Sequence, residues 1–389
     1  MSEQGRKGSG VVVIILIVLL VGAISGSIGL LTWHNKNRAY FVGGIVIYRD
    51  EDFSEYYNFP GNGTKENPYR IENLVITPKS LYGIKISRTS SHFIIRNCQI
   101  TAEYPIVLVN TSHGTARIEN NSIYGHNAPA VELIYCPGSI VSNNTIVGSA
   151  TYSYGVATTG CYDSIISQNV CNKLKYGLYL RGLSDYLIVR NNTCNNNEYG
   201  IFFMHEDTYL LDGRLIRSHS IVIANNTCND NSGRGMFISW AENAVISGNN
   251  CSRNNRSGYG GRGQNVTFMN NYFGFNGIGL DLEYFSNSTI KGNNFSNNTG
   301  VAINADECTN TVIYQNNFFN NYYSGILQNR SQVNDDSSPT SEYGPNIWYN
   351  VTLSQGNFWS ELIWFPGVVY EIDGGNNEDL FPVENPIDN

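Results

Sequence analysis

The chain has 389 residues, of which only 14% are charged, against about 25% in an ordinary globular protein, and it contains 53 Asn and 39 Gly. Hydrophobic residues at 41% exclude a long disordered chain, which lacks the apolar surface needed to offset its conformational entropy. Residues 1–38 hold four of the 24 basic and one of the 32 acidic residues, so the remainder carries a net charge of about −11 and we expect no binding to nucleic acid.

An uncharged run of 21 residues, 11–31, follows Arg6 and Lys7 near the N-terminus. About 20 apolar residues are enough to cross the hydrocarbon core of a bilayer as a helix. We therefore predict a short tail over 1–10 and a transmembrane helix or signal anchor over 11–33. In this interpretation the membrane is a partner of the chain through the uncharged run.

Two other interpretations of the run stay open. Ala23-Ile24-Ser25 resembles the small-residue site of a cleaved signal peptide, and Lys7-Gly8 resembles a pilin-type processing site. The basic residues before the run are matched by Lys36 and Arg38 after it, so charge does not fix the orientation. We expect a single-pass protein of the cell membrane with its main body on the extracellular side.

A repeat of about 23 residues follows. Each copy carries an apolar residue in the same phase, from Ile100 to a last, weaker copy at Phe358, and the steps between copies are 22–25 residues except for two of 34 and 40. Asn lies two residues before this apolar mark in nine of eleven copies. Its side chain tolerates a left-handed turn, and stacked Asn amides bond from coil to coil. The nine residues are Asn121, Asn144, Asn169, Asn192, Asn226, Asn249, Asn271, Asn293 and Asn316.

Short alternating strands that open with Gly recur at the same period, for example Gly177-Leu178-Tyr179-Leu180 and Gly200-Ile201-Phe202-Phe203. Such strands cannot bury a face singly, but they share a continuous core when they stack in parallel. The sequence therefore predicts an all-β fold, a right-handed, single-stranded parallel β-helix of about 11 coils. Ten steps of 4.8 Å give a rod about 50 Å long.

The repeat also divides the chain. We predict a linker and the N-terminal cap of the β-helix over 34–80, the repeats over 81–328, an insertion over 329–350, and the last coil with the C-terminal cap over 351–389. The step of 34 residues marks a further insertion that begins near His205.

Both ends of this region carry a family resemblance. Residues 59–74, FPGNGTKENPYRIENL, resemble the opening segment of NosD-like right-handed β-helix proteins, which are common in archaea. Residues 356–360, GNFWS, and 373–382, DGGNNEDLFP, are similar to the closing segment. The resemblance covers about residues 40–385 and implies a pectin-lyase-like fold. Polysaccharide lyases and hydrolases, surface adhesins and a copper-site maturation factor share this architecture, so the resemblance does not fix an activity.

The middle residue of each Gly-led strand points outward, because the apolar residues beside it point into the core. Tyr179, Phe202 and Phe237 then stack on one outer face, with Met204 and His205 next to them. Aromatic rings beside polar groups suit a sugar, whose apolar ring face packs on them. The alternative is that the insertion near His205 only covers the rings. The predicted column is Lys85, Val107, Glu132, Ala157, Tyr179, Phe202, Phe237, Asp281 and Ala302.

Acidic residues on the same face are the best candidates for catalysis. Hydrolysis of a polysaccharide requires two carboxyl groups about 5 to 9 Å apart. Asp281 and Glu283 lie on one face of one strand, with backbone positions about 6 to 7 Å apart, and Arg181 or Arg262 would supply a cation. Because carboxylates in contact with solvent more often have no catalytic role, we expect binding without turnover.

The eight cysteines include four at the apolar mark, which we expect to form an inward stack of buried thiols. Equivalent atoms one coil apart are about 4.8 Å from each other, too far for a relaxed disulfide. A soft-metal ladder is the alternative for these four, and a disulfide between Cys136 and Cys161 stays open. The four are Cys171, Cys194, Cys228 and Cys251.

Acidic residues near the C-terminus are candidates for binding a metal ion. Asp373, Glu378 and Asp379 lie among glycines and offer carboxylate oxygens for Ca²⁺, the alternative being a closing loop exposed to solvent. Copper is not expected, because the chain has only four Met and six His. No other cofactor is expected.

The expected function is that of an extracellular, membrane-anchored surface protein that binds a polysaccharide or a surface protein and is not an enzyme. A polysaccharide lyase or glycoside hydrolase is the first alternative. Copper handling, which the NosD resemblance implies, is the second.

Overall fold

The computed structural model describes most of the chain between residues 39 and 388. The described residues are 39–41, 43–125, 128–148, 153–182, 184–204, 208–209, 215–216, 219–321, 331–337, 344–373 and 377–388. The predicted transmembrane helix at 11–33 and the tail before it lie outside them. Within the described ranges, no helix has both the length and the apolar character needed to cross a membrane.

The chain winds as a parallel solenoid in which each turn contributes one short strand to each of three sheets. Strands follow one another in the order sheet I, sheet II, sheet III, and each pairs in parallel with its equivalents in the neighbouring turns. From the first to the last of the eleven strands described in sheet II there are ten steps. At 4.8 Å per step, the solenoid is about 48 Å long. The predicted all-β parallel β-helix is therefore confirmed, with about ten turns.

Sheets I and II contain most of the described strands. Sheet I has twelve described strands: Ile45–Ile47, Tyr82–Ser87, Tyr104–Val109, Pro129–Ile134, Tyr154–Thr159, Tyr176–Arg181, Tyr199–Met204, Met236–Glu242, Ser257–Gln264, Ile278–Glu283, Ile303–Asp306 and Val333–Asp335. Sheet II has eleven: Tyr69–Glu72, Phe93–Arg96, Ala116–Glu119, Ile140–Ser142, Ile165–Ser167, Ile188–Arg190, Val222–Ala224, Val245–Ser247, Thr267–Met269, Thr289–Lys291 and Val312–Tyr314.

Sheet III is in two parts, joined by single bridges at Thr193 and Thr227. The first part is Ala39–Phe41, Leu74–Ile76, Gln99–Ala102, Ser122–Gly125, Thr145–Gly148 and Val170–Asn172. The second part is Asn250–Ser252, Tyr272–Gly274, Asn294–Ser296, Asn317–Phe319 and Phe358–Trp359. Outside the solenoid sheets, the elements described are a π-helical turn, Asp52–Tyr56, and two antiparallel pairs, Thr208–Tyr209 with Leu215–Ile216 and Tyr370–Ile372 with Asn377–Asp379.

The asparagines two residues before the apolar mark form a hydrogen-bonded ladder between sheets II and III. Nδ2 of Asn249 donates to the carbonyl oxygen of Ile223 and to Oδ1 of Asn271, both at 2.9 Å. Oδ1 of Asn249 accepts from the backbone N–H and from Nδ2 of Asn226 at 2.9 and 3.0 Å. Each amide thus satisfies its polar atoms inside the protein, as a buried amide must. The same pattern links Asn121, Asn144, Asn169, Asn192, Asn226, Asn249, Asn271, Asn293, Asn316 and Asn357.

The left-handed turn belongs to the residue before each ladder asparagine. Asn120, Asn143 and Asn225 have φ of 56°, 55° and 55°, whereas the ladder asparagines that follow them do not adopt positive φ. The sequence pattern assigned both roles, the turn and the stacked amide, to one position. In the structure they fall on neighbouring residues, because a side chain that points into the core cannot also belong to the exposed corner.

A second asparagine ladder, which was not predicted, runs between sheets III and I. Its members lie three residues after the apolar mark. Nδ2 of Asn254 donates to the carbonyl oxygen of Cys228 and to Oδ1 of Asn276, both at 3.0 Å. Gln332 ends the ladder by accepting a hydrogen bond from Asn321 at 2.8 Å. The asparagines are Asn197, Asn231, Asn254, Asn276, Asn298 and Asn321.

The apolar mark forms a column in the core. Its four cysteines, Cys171, Cys194, Cys228 and Cys251, are fully buried, and all eight cysteines of the chain are free thiols. Burial raises the pKa of Cys228 well above its usual value, so this thiol stays protonated. The column continues as stacked rings, with 5.5 Å between Phe273 and Phe295, 5.1 Å between Phe295 and Phe318, and 4.2 Å between Phe318 and Trp359.

Two details differ from the sequence prediction, and one point that the sequence left open is resolved. Phe318 pairs with Trp359, so the last apolar mark is Trp359 and not Phe358, and Asn357 takes the ladder position. Within 329–350, predicted as an insertion, Val333–Asp335 is a strand of sheet I and Ile347 bridges to sheet II. Cys136 and Cys161 are hydrogen-bonded at 3.4 Å through a backbone N–H and are not joined by a disulfide.

Both ends of the core are covered by aromatic side chains. At the N-terminal end Phe53, from the π-helical turn, stacks on Tyr69 at 4.8 Å. At the C-terminal end Tyr370 stacks on Trp359 at 3.8 Å. Buried Asp379 ends the first ladder, since its Oδ2 accepts from the backbone N–H of Asn357 at 2.7 Å and from Nε1 of Trp359 at 3.0 Å.

Replacing a ladder asparagine should destabilise the solenoid far more than replacing its exposed neighbour. Asn249→Ala leaves buried partners on both sides without hydrogen bonds, and we expect a loss of about 3 kcal/mol in the free energy of unfolding. Asn250→Ala removes an exposed amide one residue away and should cost less than about 0.5 kcal/mol. Urea unfolding of both variants measures the difference, and equal losses would contradict the assigned role of the ladder.

Asp379 should make the C-terminal end less stable as the pH rises. Burial raises its pKa from 3.8 to about 6. A raised pKa means that the folded state holds the proton more tightly, so the stability contribution is complete below pH 4 and is lost as the pH passes 6. We expect the thermal transition reported by tryptophan fluorescence to depend less on pH in Asp379→Asn than in wild type, whereas exposed Asp388→Asn should leave this dependence unchanged.

Candidate functional site

The outer face of sheet I carries one residue per turn in a continuous column. Strand pairing places Tyr179 directly beside Phe202, and Phe202 beside Phe237. The column runs through Val46, Lys85, Val107, Glu132, Ala157, Tyr179, Phe202, Phe237, Gly260, Asp281, Asn304 and Asn334.

Ala302 is not part of this column. Asp281 pairs with Asn304, and Ala302 is fully buried in the core. The prediction aligned Gly300 with Gly279, but Gly279 donates its backbone N–H to Val301 and Gly300 donates its own to Gly277. The turn before this strand is therefore two residues longer than the glycine alignment implied.

Six rings form an aromatic strip on this face. Tyr179, Phe202 and Phe237 form one row, with centroids 5.7 and 5.1 Å apart. Tyr176 lies 4.8 Å from Phe202 and 4.9 Å from Tyr179, and joins a second row of tyrosines. Phe202 is buried as the floor of the strip, while the other rings are half-buried and open to solvent on one side. The aromatic strip is Tyr154, Tyr176, Tyr179, Tyr199, Phe202 and Phe237.

The tyrosine row was missed in the sequence, although it carries a signal. Tyr154, Tyr176 and Tyr199 each precede the glycine that opens a strand of sheet I. That glycine faces the core, where a Cβ on Gly177 would stand 2.8 Å from the Cβ of buried Cys194. Gly177 and Leu178 are both buried, so the two-residue alternation is interrupted at this glycine, and Tyr176 lies on the outer face with Tyr179. The recurring Tyr-Gly pair is the signal.

Three basic side chains lie on rings of the aromatic strip. Nζ of Lys175 is 5.3 Å from the centroid of Tyr176, and the guanidinium carbons of Arg181 and Arg234 are 5.7 and 5.3 Å from Tyr179 and Phe237. Such contacts are weakly attractive at exposed positions, about 0.5–1 kcal/mol each. They hold long basic side chains against the ring faces at the border of the strip.

Beyond Phe237 the column becomes polar. Asp281 accepts from Arg234 at 2.9 Å and from Nδ2 of Asn304 at 3.3 Å. Nδ2 of Asn334 in turn donates to Oδ1 of Asn304 at 3.1 Å. The outer face thus changes along the axis from stacked rings to a chain of hydrogen-bonding groups.

Of the two cations proposed to accompany Asp281 and Glu283, Arg262 lies beside Glu283 and Arg181 does not. Arg181 lies four strands before Glu283 in sheet I, a separation of about 19 Å along the axis. Asp281 is paired instead with Arg234, and Glu283 with Arg262 at 2.6 Å. Arg181 is near Glu132, whose pKa is raised by burial, an effect that the positive charge of Arg181 opposes.

A groove of about 650 Å³ opens at the turn between sheets I and II, near the polar end of the column. Its walls include Tyr284, Asn287, Glu307 and Asp336. A side-chain hydrogen bond with Asp336 raises the pKa of the adjacent Asp306, and burial adds to this effect. The sequence did not indicate the groove, because Asp336 comes from the segment predicted as an insertion.

The other predicted site residues lie apart. Met204 is 38% exposed at the end of its strand, and His205 lies outside the described residues. Of the residues proposed for Ca²⁺, Asp379 is buried and Glu378 exposed, and Asp373 accepts from the backbone N–H of Ser331. In the part of the chain that the structure describes, no three His, Cys, Asp or Glu side chains are grouped so as to hold a metal ion.

The family described as "Right handed beta helix region" matches residues 61–216 and 212–337. The chain belongs to this family. Among curated proteins none matches the sequence. The family match indicates that the solenoid is right-handed. It agrees, at the level of the fold, with the resemblance to right-handed β-helix proteins seen in the sequence.

Several solved structures are similar in fold. The Dettilon tailspike protein (gp208) is 16% identical with a TM-score of 0.47, over 61% of this chain and 50% of the tailspike. The A-modules of the Azotobacter vinelandii mannuronan C-5 epimerases AlgE6 and AlgE4 are 13% and 12% identical with TM-scores of 0.40 and 0.42. They are matched over 71% and 70% of this chain and 86% and 95% of their own. The chain spans about half the length of the tailspike, and these likenesses concern the fold alone.

Removing the charge of Arg181 should raise the pKa of Glu132 further above its ordinary value. Burial already disfavours the charged carboxylate, and Arg181→Gln removes the cation that opposes this effect. A pH titration of the ¹³C carboxyl signals of glutamate, followed by NMR, measures the shift. Lys175→Gln is the control with the same loss of charge, and an equal response to both substitutions would contradict the assigned pair.

Proposed function

We propose that this protein binds a polysaccharide along the outer face of sheet I and does not turn it over. The observation that carries the proposal is the aromatic strip, six rings in mutual contact across four turns on a face that is open to solvent. Rings in such contact offer a broad apolar surface without a deep pocket, which suits the flat faces of consecutive sugar rings.

The polar end of the column supports the same ligand. Asp281, Asn304 and Asn334 present carboxylate and amide groups one turn apart, at a repeat of about 4.8 Å. Sugar hydroxyls both donate and accept hydrogen bonds, so they match a row of mixed donors and acceptors. A chain lying parallel to the solenoid axis contacts rings at one end and hydrogen-bonding groups at the other.

Under this proposal, ring stacking contributes more to ligand binding than charge does, because two of the basic residues near the aromatic strip have acidic partners. Arg234 is engaged by Asp281, and Arg181 faces Glu132, so these positive charges are largely balanced within the face. The body of the protein carries a net negative charge, which weakens attraction for strongly acidic polymers. The proposed ligand is therefore a polysaccharide that is neutral or nearly so.

The rival function is that of a polysaccharide lyase or glycoside hydrolase. The observation that favours it is the groove beside the column, which is lined by Asp336. A side-chain hydrogen bond with Asp336 raises the pKa of Asp306, next to the groove residue Glu307. A carboxyl group with a raised pKa suits the role of general acid in the cleavage of a glycosidic bond. The proposal of binding without turnover rests on the separation of Arg181 from the acidic residues and on the arginine pairing of Asp281 and Glu283.

The location of the binding face is part of the proposal. The uncharged run at 11–31 is long enough to anchor the chain in a membrane, with the solenoid on the extracellular side. The finer assignment to NosD-like proteins would bring copper handling into consideration. The four stacked cysteines are fully buried, so they do not present their sulfur atoms to an incoming metal.

A polysaccharide panel tests binding. The full-length chain should retain at least one neutral polysaccharide, and Tyr179→Ala and Phe237→Ala should each weaken that binding about tenfold through the loss of one ring contact. Tyr135→Ala removes a 58% exposed tyrosine outside the strip and should change nothing. Equal binding by the strip variants and the control would refute the proposed face.

The same incubation distinguishes binding from catalysis. Under the proposal, no reducing ends or unsaturated products accumulate, and the polymer is recovered at its original length. Products that form with the wild-type chain and disappear with Asp306→Asn or Asp336→Asn would establish the rival function and defeat the proposed one.

A further inference from the structure

The C-terminal end of the solenoid has an exposed apolar surface of a kind not found on the turns. Elsewhere in the described chain, most of the exposed large apolar side chains are single tyrosines. Such isolated exposure is ordinary, whereas contiguous apolar surface marks an interaction site. The C-terminal group, here called the cap surface, consists of Val351, Leu353, Ile363, Trp364, Phe365, Val369, Leu380 and Phe381, which are 37–85% exposed.

Contacts within the cap surface hold its segments together. Nε1 of Trp364 donates to the carbonyl oxygen of Pro382 at 3.3 Å, which fixes the loop containing Ile363 to the segment after Asp379. The ring of Tyr349 meets that of Phe381 edge-on at 5.3 Å and connects a third segment. The exposed side chains thus lie on one assembled end of the protein.

These side chains are not needed to close the core. Trp359 is 1% exposed and is covered by Tyr370 at 3.8 Å, so the last turn of the solenoid is already sealed beneath the cap surface. Ile363 is 85% exposed and Phe365 57% exposed. Because these side chains stay in contact with water, they gain little of the hydrophobic free energy that burial would provide.

The charge around the cap surface is of one sign. After Arg330 the sequence contains ten Asp or Glu and no Lys, Arg or His. Glu371 and Glu378 pair directly across the C-terminal hairpin, and both are exposed. Like charges directly opposite each other destabilise a strand pair. A positively charged surface placed against the hairpin would relieve this repulsion.

The negative charge of the C-terminal end distinguishes between the partners that could bind the cap surface. A second copy bound through the same surface would bring two acidic ends together, and an anionic membrane would also be repelled. We propose that the cap surface docks a protein partner whose contact surface is apolar at its centre and rimmed by Lys and Arg. The partner binds end-on, so the aromatic strip on sheet I stays open to its own ligand.

A synthetic amphipathic helix of Leu and Lys, with one photoreactive Leu, serves as the probe, and the same helix with Glu in place of Lys is its control. With the full-length chain, cross-links of the Leu/Lys helix should fall within 349–388. Ile363→Ser combined with Phe365→Ser should weaken binding at least tenfold. Leu81→Ser, at a 53% exposed position remote in sequence, should have no effect. Both altered residues of the double variant are exposed, so folding is preserved.

Charge is tested separately. Glu371→Gln combined with Glu378→Gln keeps the apolar side chains and should weaken the Leu/Lys helix several-fold and reduce the salt dependence of its binding. The proposal is overturned if the double serine variant binds the probe as well as wild type, or if the Leu/Glu helix binds equally. Cap-to-cap cross-links between copies, or binding of phosphatidylcholine vesicles that the double serine variant loses, would assign the surface to another occupant.

Discussion

In a parallel solenoid each residue lies beside its own equivalent in the next turn, and this constraint governs every other feature of the molecule. A buried polar group can meet the constraint only if identical copies satisfy one another. The carboxamide of Asn does so, because it both donates and accepts, whereas stacked carboxylates would repel. Nδ2 of Asn144 donates to Oδ1 of Asn169, and Nδ2 of Asn169 donates to Oδ1 of Asn192, each at 3.0 Å. Two such ladders stabilise two of the three corners of the solenoid, between sheets II and III and between sheets III and I.

The same constraint shapes the surface. Aromatic rings gain from standing beside rings, so rows such as Tyr176 and Tyr199, 5.4 Å apart and stacked, extend over several turns. Charged residues do not gain from equivalents of the same sign. Several of them therefore pair with an opposite charge one turn away, as Arg253 does with Asp230 at 2.7 Å and Arg262 with Glu283. A low charged fraction is a consequence of this stacking, and the aromatic strip is its favourable counterpart on the outer face.

The sequence predicts the features that repeat from turn to turn and does not predict those that occur only once. The apolar residues of the Gly-led strands were sufficient to orient them, so the outward positions of Tyr179, Phe202 and Phe237 could be predicted from the sequence. The contact between Arg234 and Asp281 could not, because it spans two turns and 47 residues and occurs once. The groove escaped prediction for the same reason. Its residue Asp336 arrives after an irregular step, since Asn304 pairs with Asn334, thirty residues later.

Irregular steps are also where the molecule is free to carry function. In a regular turn most positions are committed to satisfying their equivalents above and below, and a substitution there disturbs two neighbours at once. The loop containing Ile363 and the residues Asp336 and Ser337, which follow an irregular step, are not constrained in this way. They contribute, respectively, to the cap surface and to the groove. Because the strip follows the axis and the cap surface closes one end, a rod of this kind can hold an elongated ligand along its side while a partner occupies its end, without the two competing for the same atoms.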